Sequence, residues 1–291
     1  MSYNVSPVLT SQDLLTEELT EEELINKLTN DATWLKDAKF SLDDIKVCLM
    51  PLCFHLMQKY LANSHKTFII GLSGSVASGK TTISTAIKSL LTYINPSLKV
   101  AVVSSDGFLL TNQLLNAQNI MKKKGFPCSY DYDRLKEFMV GLSDANKNNI
   151  RLEIPIHSHE TYDVTVHTNM FLEGPDIVIF EGVNVLQDTK PFSLLEYLNA
   201  TIYVDAADDD LKKWYEARFY DLLRAAKTDP KSMFVKYLHM SKEEIQTQID
   251  AVWFNVNYKN LQDHILPSRQ NAEFIIHKHH NHSLAKLVHQ K

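Results

Sequence analysis

The sequence predicts an α/β protein built on a doubly wound, mainly parallel sheet, and three observations predict it. Five short apolar runs, at 67–72, 99–104, 176–180, 200–204 and 273–276, are separated for the most part by longer stretches of helical pattern. These runs are close to continuously apolar rather than alternating, as strands covered by helices on both faces are. Three of them end in residues that carry chemistry: a glycine-rich loop at 74–81 after the first, Ser105-Asp106-Gly107-Phe108 after the second, and Glu181-Gly182 after the third. Ligands of open parallel sheets bind outside the carboxyl ends of the strands, so the three endings are expected to converge on one site.

The elements follow in order. Residues 1–66 read as a helical N-terminal extension, with a capping-box start at Thr20-Glu21-Glu22-Glu23 and a second N-cap at Ser41-Leu42-Asp43-Asp44 before a helix over 45–61. Residues 67–291 read as the nucleotide core with its lid helices. The first strand runs into Gly74-Ser75-Val76-Ala77-Ser78-Gly79-Lys80-Thr81, which fits G-x-x-x-x-G-K-[ST] in the strand-loop-helix context that gives the motif its meaning. The backbone NH groups of 74–82, through Thr82, form a cradle at a helix N-terminus for the phosphates of a nucleotide such as ATP. Gly74 and Gly79 allow the close approach, Lys80 supplies a mobile charge for the β- and γ-phosphates, and Thr81 offers a hydroxyl to Mg²⁺. A glycine-rich turn without function is the bland alternative, and the agreement of strand, loop and helix argues against it. Asp106 ends the second strand with its carboxylate expected to face the γ-phosphate, where it can take a proton from an attacking hydroxyl. Its plain alternative is a cap on the turn beside Gly107.

Composition narrows the class. The chain has 291 residues, 44% of them hydrophobic, enough for one substantial α/β domain plus a helical extension. A net charge of -5 provides no basic field, so nucleic acid is not expected as a partner. Cys48, Cys53 and Cys128 have no zinc-finger spacing and suit a reducing compartment, with burial in a helix expected for the first two. The first residues lack a basic start followed by an apolar block, and no apolar run reaches membrane-spanning length, so a cytoplasmic protein is expected. The tail His277-Lys278-His279-His280-Asn281-His282 reads as a solvated strand-to-helix turn rather than a metal site.

The motifs form a set: GSVASGKTT, SSDGF, MKKKGFPCSYD, SHETYDV, DIVIFEGVNVLQ, IYVDA, WYEARF, TDP and ILPSR. In order and spacing this set resembles the bacterial type I pantothenate kinases, from about residue 67 to the end, with Leu49-Met50-Pro51-Leu52 as an earlier echo. The resemblance implies a kinase of the P-loop type that transfers the ATP γ-phosphate to the terminal hydroxyl of pantothenate, the first step toward coenzyme A. It implies Asp106 as catalytic base, and Glu181 with Thr81 at Mg²⁺. It places His159 and Tyr162 on the substrate, Tyr215 on the substrate with Trp214 and Phe219 shielding the pantothenate tail, Arg218 on the phosphates, and Asn257 on the pantothenate amide or carboxylate. Homodimers and feedback inhibition by coenzyme A are implied as well.

Each of these residues has a duller role available. Glu181 can cap the turn at Gly182, the helix around Trp214 can be plain core with Arg218 paired to Asp221, and Trp253 reads as packing. Lys122, Lys123 and Lys124 can draw anions into the cleft or form a solvated basic turn. His157 and His159 would share one strand face, but no third ligand stands at metal-site spacing. The chain also departs from the family pattern. His157 stands where relatives carry tyrosine, Leu222 and Lys227 where they carry aromatics, and Thr85 where an arginine helps hold the phosphates of coenzyme A. The rival readings are a P-loop kinase for another hydroxylated metabolite, such as a uridine or phosphoribulokinase-like enzyme, and a non-catalytic nucleotide or coenzyme A sensor. Intact Lys80, Thr81, Asp106 and Glu181 argue against the sensor.

Overall fold

The structure, a computed structural model, describes residues 40–63, 66–144, 147–158, 161–165, 168, 170–188 and 192–290. Its centre is a six-stranded sheet in the order β10-β9-β8-β1-β7-β2. The strands are β1 (Phe68–Gly74), β2 (Val100–Ser104), β7 (Ile177–Glu181), β8 (Ala200–Asp205), β9 (Phe274–Lys278) and β10 (Leu284–His289). The first five run parallel, each within two residues of its expected position, and β10 returns antiparallel to β9. β2 and β8 lie on opposite sides of the central pair β1 and β7, so the chain winds outward in both directions from the end of β1.

Burial on both faces explains the continuous apolar runs. Phe68, Ile70 and Leu72 of β1 enter one core, and Ile69 of the same strand enters the other with Val178, Phe180 and Tyr203. The first core is covered by α1 (Met50–Leu61) and α2 (Lys80–Ile94). In α2 the buried residues Ile83, Ala86, Ile87, Leu90, Leu91 and Ile94 recur at spacings of three and four, a single apolar stripe. Each such leucine or isoleucine contributes about 1.5 to 3 kcal/mol of burial.

The helical segment before β1 is part of this core. Leu42–Asp44 and the wider π turns of Ile45–Leu49 lead into α1, and Cys48, Leu49, Leu52, Cys53 and Leu56 are all fully buried. Burial pushes the Cys48 thiol up to about 12 and the Cys53 thiol higher still, which keeps both protonated and unreactive. Asp44 ties this segment to the far end of the chain. Its carboxylate accepts from the Ser41 backbone NH and hydroxyl at 2.8 and 2.7 Å, and from the Leu284 backbone NH at 2.5 Å. The capping box expected at Thr20 lies outside the described residues.

Two features differ from the sequence reading. The histidine-rich tail is the tip of a β9–β10 hairpin, not a strand-to-helix turn. His279 and Ser283 pair across the tip at 2.9 Å, His282 takes a left-handed φ of 70°, and Leu284 buries against the first core. Between β2 and β7 the chain also forms two short antiparallel ribbons, β3 (Arg151–Glu153) with β6 (Phe171–Glu173) and β4 (Ile156–Ser158) with β5 (Asp163–Thr165). Three-residue strands are too short for alternation to reveal. The remaining helices are α3 (Asn112–Ala117), α4 (Tyr132–Leu142), α5 (Asp208–Ala225) and α6 (Lys242–Val252), the last followed by π turns at Trp253–Tyr258 and Leu261–Ile265.

Candidate active site

The glycine-rich loop sits at the carboxyl end of β1 and opens α2. Its backbone turns through left-handed conformations at Ala77 (φ 64°) and Gly79 (φ 89°). The left-handed φ at Gly79 closes that position to other residues, and a Cβ there would also have to push aside Lys278 Nζ, 2.9 Å away. Lys80 Nζ reaches back across the loop to donate to the Ser75 carbonyl at 2.8 Å. Ser75 Oγ and Ser78 Oγ are buried with no hydrogen-bond partner among the described residues. Orphaned hydroxyls in a loop that opens a helix are donors that phosphate oxygens satisfy, so the loop fits the group its sequence implies.

Strand ends bring the acids to the same place. Glu181, at the end of β7, is buried and accepts from Thr81 Oγ1 at 3.2 Å. Gly182 permits the close contact with the end of β2, since a Cβ there would stand 1.7 Å from Ser105 Oγ. Asp106 follows in the turn Ser105–Phe108, which Ser104 caps by accepting the Asp106 backbone NH at 3.3 Å. The Asp106 carboxylate itself accepts no hydrogen bond among the described residues. Burial lowers the Lys80 pKa, the charges of Glu181 and Asp106 oppose that shift, and Arg218 adds to it. Burial raises the Glu181 pKa, Lys80 works against the rise, and Asp106 adds to it. Lys80, Glu181, Asp106 and Arg218 thus share one electrostatic neighbourhood, drawn from four separate segments.

A second group of side chains extends away from Asp106. Burial and the Asp106 charge raise the Tyr162 pKa, with Tyr237 contributing. Tyr215 is pushed up to about 12 by burial, with the polar Asn257 side chain beside it opposing the rise, and feels both Tyr162 and Tyr237. Asn257 Nδ2 is buried without a partner among the described residues, an amide donor left over on this wall. The structure therefore brings Tyr162, Tyr215 and Asn257 together as expected and adds Tyr237, from the turn Met233–Tyr237. No motif or periodicity in that stretch marks Tyr237. His159 lies outside the described residues, while His157 sets its ring edge-on to Tyr162 at 5.3 Å. Among the described residues no group of three His, Cys, Asp or Glu could hold a metal.

The helix α5 divides its aromatics differently from the expectation. Trp214 faces the terminal hairpin, not the acceptor wall: its ring stacks on His282 at 4.2 Å and its Nε1 donates to the His280 carbonyl at 3.1 Å. Phe219 is buried with Leu223, Ile245 and Ile249 and meets Phe234 and Tyr237, so it supports the wall from behind. Trp253 is core, as read from the sequence. Asp221 pairs with Arg224, leaving Arg218 exposed at the cleft.

Two lysines have roles the sequence did not disclose. Lys278, at the end of β9, donates to the Ser78 carbonyl at 2.8 Å and lies 4.7 Å above the Trp214 ring. Burial brings its pKa down to about 8, with Asp44 opposing. Lys122 and Lys123 are exposed, but Lys124 is buried, and desolvation lowers its pKa against the charges of Asp163 and Asp106.

A phosphate loop at the first strand of a doubly wound sheet, with acids at the neighbouring strand ends and an acceptor wall beyond them, defines a P-loop kinase. Residues 69–215 match the phosphoribulokinase/uridine kinase family. A pantothenate kinase from Ligilactobacillus salivarius (strain UCC118) is 37% identical over 293 residues, covering 94% of this chain and 92% of that protein. One from Streptococcus pneumoniae serotype 19F (strain G54) is 37% identical over 295 residues, covering 95% and 92%. Among solved structures, the YGR205w protein aligns with a TM-score of 0.57 at 14% identity, over 83% of this chain and 98% of that one. A candidate fructose transport system kinase from Silicibacter sp. TM1040 aligns with a TM-score of 0.56 at 20% identity, over 77% and 92%. At those identities the solved structures speak for the fold alone. The chain belongs to the phosphoribulokinase/uridine kinase family and, within it, to the pantothenate kinases.

Proposed function

We propose that this kinase binds ATP on the loop 74–82 and passes the γ-phosphate to the terminal hydroxyl of pantothenate. The observation that carries the reading is the continuity of the site, from Lys80 and Glu181 through Asp106 to Tyr162, Tyr237, Tyr215 and Asn257. Asp106 has the place of a base that accepts the hydroxyl proton as the oxygen attacks in line. Lys80 and Arg218 supply positive charge where the transferring group gathers negative charge. Thr81 and Glu181 are the residues that would hold Mg²⁺, which when bound offsets the charge of the phosphates. On the far wall the unpartnered Asn257 amide suits the amide or carboxylate of an elongated acceptor, with the tyrosines covering its aliphatic part.

The test is a coupled assay with ATP, Mg²⁺ and either pantothenate or uridine. Turnover of pantothenate with negligible turnover of uridine is the expected result, and the reverse preference would overturn the acceptor assignment.

The same reading extends to assembly and control. A cytoplasmic homodimer follows the family pattern and is checked by sedimentation. Thr85 is exposed on α2 and spends its hydroxyl on the Thr81 carbonyl at 2.8 Å, bringing no charge toward a bound anion. Feedback inhibition by coenzyme A is therefore weak, and Thr85→Arg should tighten it by about tenfold to a hundredfold, the worth of one charge-assisted phosphate contact. Strong ATP-competitive inhibition of the wild type, unchanged in the arginine variant, would remove Thr85 from the account.

A further inference from the structure

Tyr162 has a φ of 52°, in the left-handed region. A bulky aromatic residue holds that conformation only when its surroundings impose it. Lys124 imposes it. Its Nζ donates to the Tyr162 carbonyl at 2.5 Å and to Asn112 Oδ1 at 2.7 Å, and it stands 4.3 Å from the centre of the Tyr162 ring. Asn112 closes the circuit. Its Nδ2 donates to the same carbonyl at 3.0 Å, and its backbone NH donates to Asp163 Oδ1 at 2.9 Å.

The lysine is fixed from behind as well. The carbonyl of the next residue, Gly125, accepts from Asn184 Nδ2 and from Asn260 Nδ2, both at 2.8 Å. Asn184 lies three residues beyond Glu181, and Asn260 stands between the two π turns that follow α6. The turn at Lys124 is thereby tied to the strand end that carries the phosphate-side acid and to the helical segment that carries Asn257. An ammonium is suited to the task, since its three donors can serve two oxygens while its charge meets an aromatic face.

We propose that Lys124 is a positioning residue for the acceptor: with Asn112 it holds Tyr162 in a left-handed conformation at the edge of the acceptor wall, facing Asp106. This rests on the acceptor reading given above. Lysine at this place acts through Tyr162, so its loss should be felt in acceptor binding and not in nucleotide binding.

The experiment compares Lys124→Met, Lys124→Arg and Asn112→Ala with the wild type. In Lys124→Met the KM for pantothenate should rise about tenfold or more, from loss of two charge-assisted hydrogen bonds, with the KM for ATP within about twofold. Lys124→Arg keeps charge and donors and should recover part of the loss. Asn112→Ala should raise the same KM by a smaller factor, and the double variant should be little worse than Lys124→Met, because both act on one tyrosine. Amide exchange over residues 161–165 of the ligand-free protein should quicken in Lys124→Met and Asn112→Ala. A fall in kcat with unchanged acceptor KM would place Lys124 on the reacting phosphate, and equal rises in both KM values would make it general packing; either overturns the proposal. The exchange measurement uses no substrate. If wild type ignores pantothenate, the acceptor reading fails by itself, whereas unchanged exchange at 161–165 in both variants overturns the brace. Should Lys124→Met fail to fold, Asn112→Ala gives the same two readouts.

Discussion

The two halves of the cleft are built by different means. The proposed nucleotide half is one contiguous stretch, 74–82, that offers backbone amides, with Glu181 and Lys278 brought to its rim. The proposed acceptor half is assembled from side chains at positions 162, 215, 237 and 257, each carried by a different segment. A backbone cradle depends on glycines and on one or two charges, and it serves any nucleoside triphosphate. A wall of dispersed side chains can be retuned residue by residue, which is how one fold comes to serve several acceptors. Substitutions in the first half should therefore be severe and indifferent to the acceptor, and those in the second milder and acceptor-specific.

The largest effect is expected at Lys80, whose ammonium is the charge the loop amides lack. Lys80→Ala should lower kcat/KM by about 10³ or more with every acceptor tried, the scale of losing a preorganised charge in a dry site. Its one hydrogen bond among the described residues is to a carbonyl of its own loop, so the fold should survive, and the melting temperature checks this. Activity within tenfold of wild type would break the division between the halves at its strongest point.

Asp106 stands at the boundary. Asp106→Asn preserves shape and removes the proton acceptor, so turnover should fall about 10²-fold to 10³-fold while calorimetric ATP affinity stays near wild type. A variant with full turnover would make Asp106 a structural residue of the turn after β2.

On the acceptor wall the effects should be smaller and selective. Tyr215→Phe and Asn257→Ala each remove a polar group from the proposed acceptor wall, and each should raise the KM for pantothenate by about tenfold with little change in that for ATP. Parallel changes in both constants would mean that the wall is structural support for the whole cleft.

The same division governs what the sequence discloses. The loop could be read because its chemistry is local: a strand, two glycines, a lysine and a helix start fall within one short window. The five parallel strands were legible for a similar reason, since burial on both faces leaves an uninterrupted apolar run. Tyr162, Tyr215 and Asn257 are candidates by family resemblance and not by pattern, and Tyr237, which the structure places beside them, is singled out by neither spacing nor composition. Trp214 was placed on the wrong side of α5, for helical spacing gives a face but not its neighbour, and that neighbour is the terminal hairpin. The hairpin was itself misread because its histidines suggested solvent, while Leu284 and Lys278 carry its packing. Lys124 looked like one of three surface lysines until long-range contacts to Tyr162 and Asn112 distinguished it.

Lys278 gives the smallest predicted effect and the one that most sharpens the comparison, because it is a side chain in the half built from backbone. Its ammonium touches the loop at the Ser78 carbonyl and lies over the Trp214 ring, and burial brings its pKa down to about 8, with Asp44 opposing. Below pH 8 it is charged and favours a phosphate ligand. Above that, ATP must bind to a neutral lysine or bring a proton with it, so the KM for ATP should rise by at most about tenfold per pH unit. Stability moves the other way. An unfolded lysine titrates near 10.4, so between about pH 8 and that value the unfolded chain holds the extra proton, and the contribution of Lys278 to stability rises with pH through this window. Lys278→Met should flatten the pH dependence of the ATP KM above pH 8 and remove the corresponding rise in melting temperature, leaving the KM for pantothenate unchanged. An ATP KM that climbs equally in wild type and variant would show that the nucleotide half owes its affinity to the backbone and Lys80 without help from the terminal hairpin.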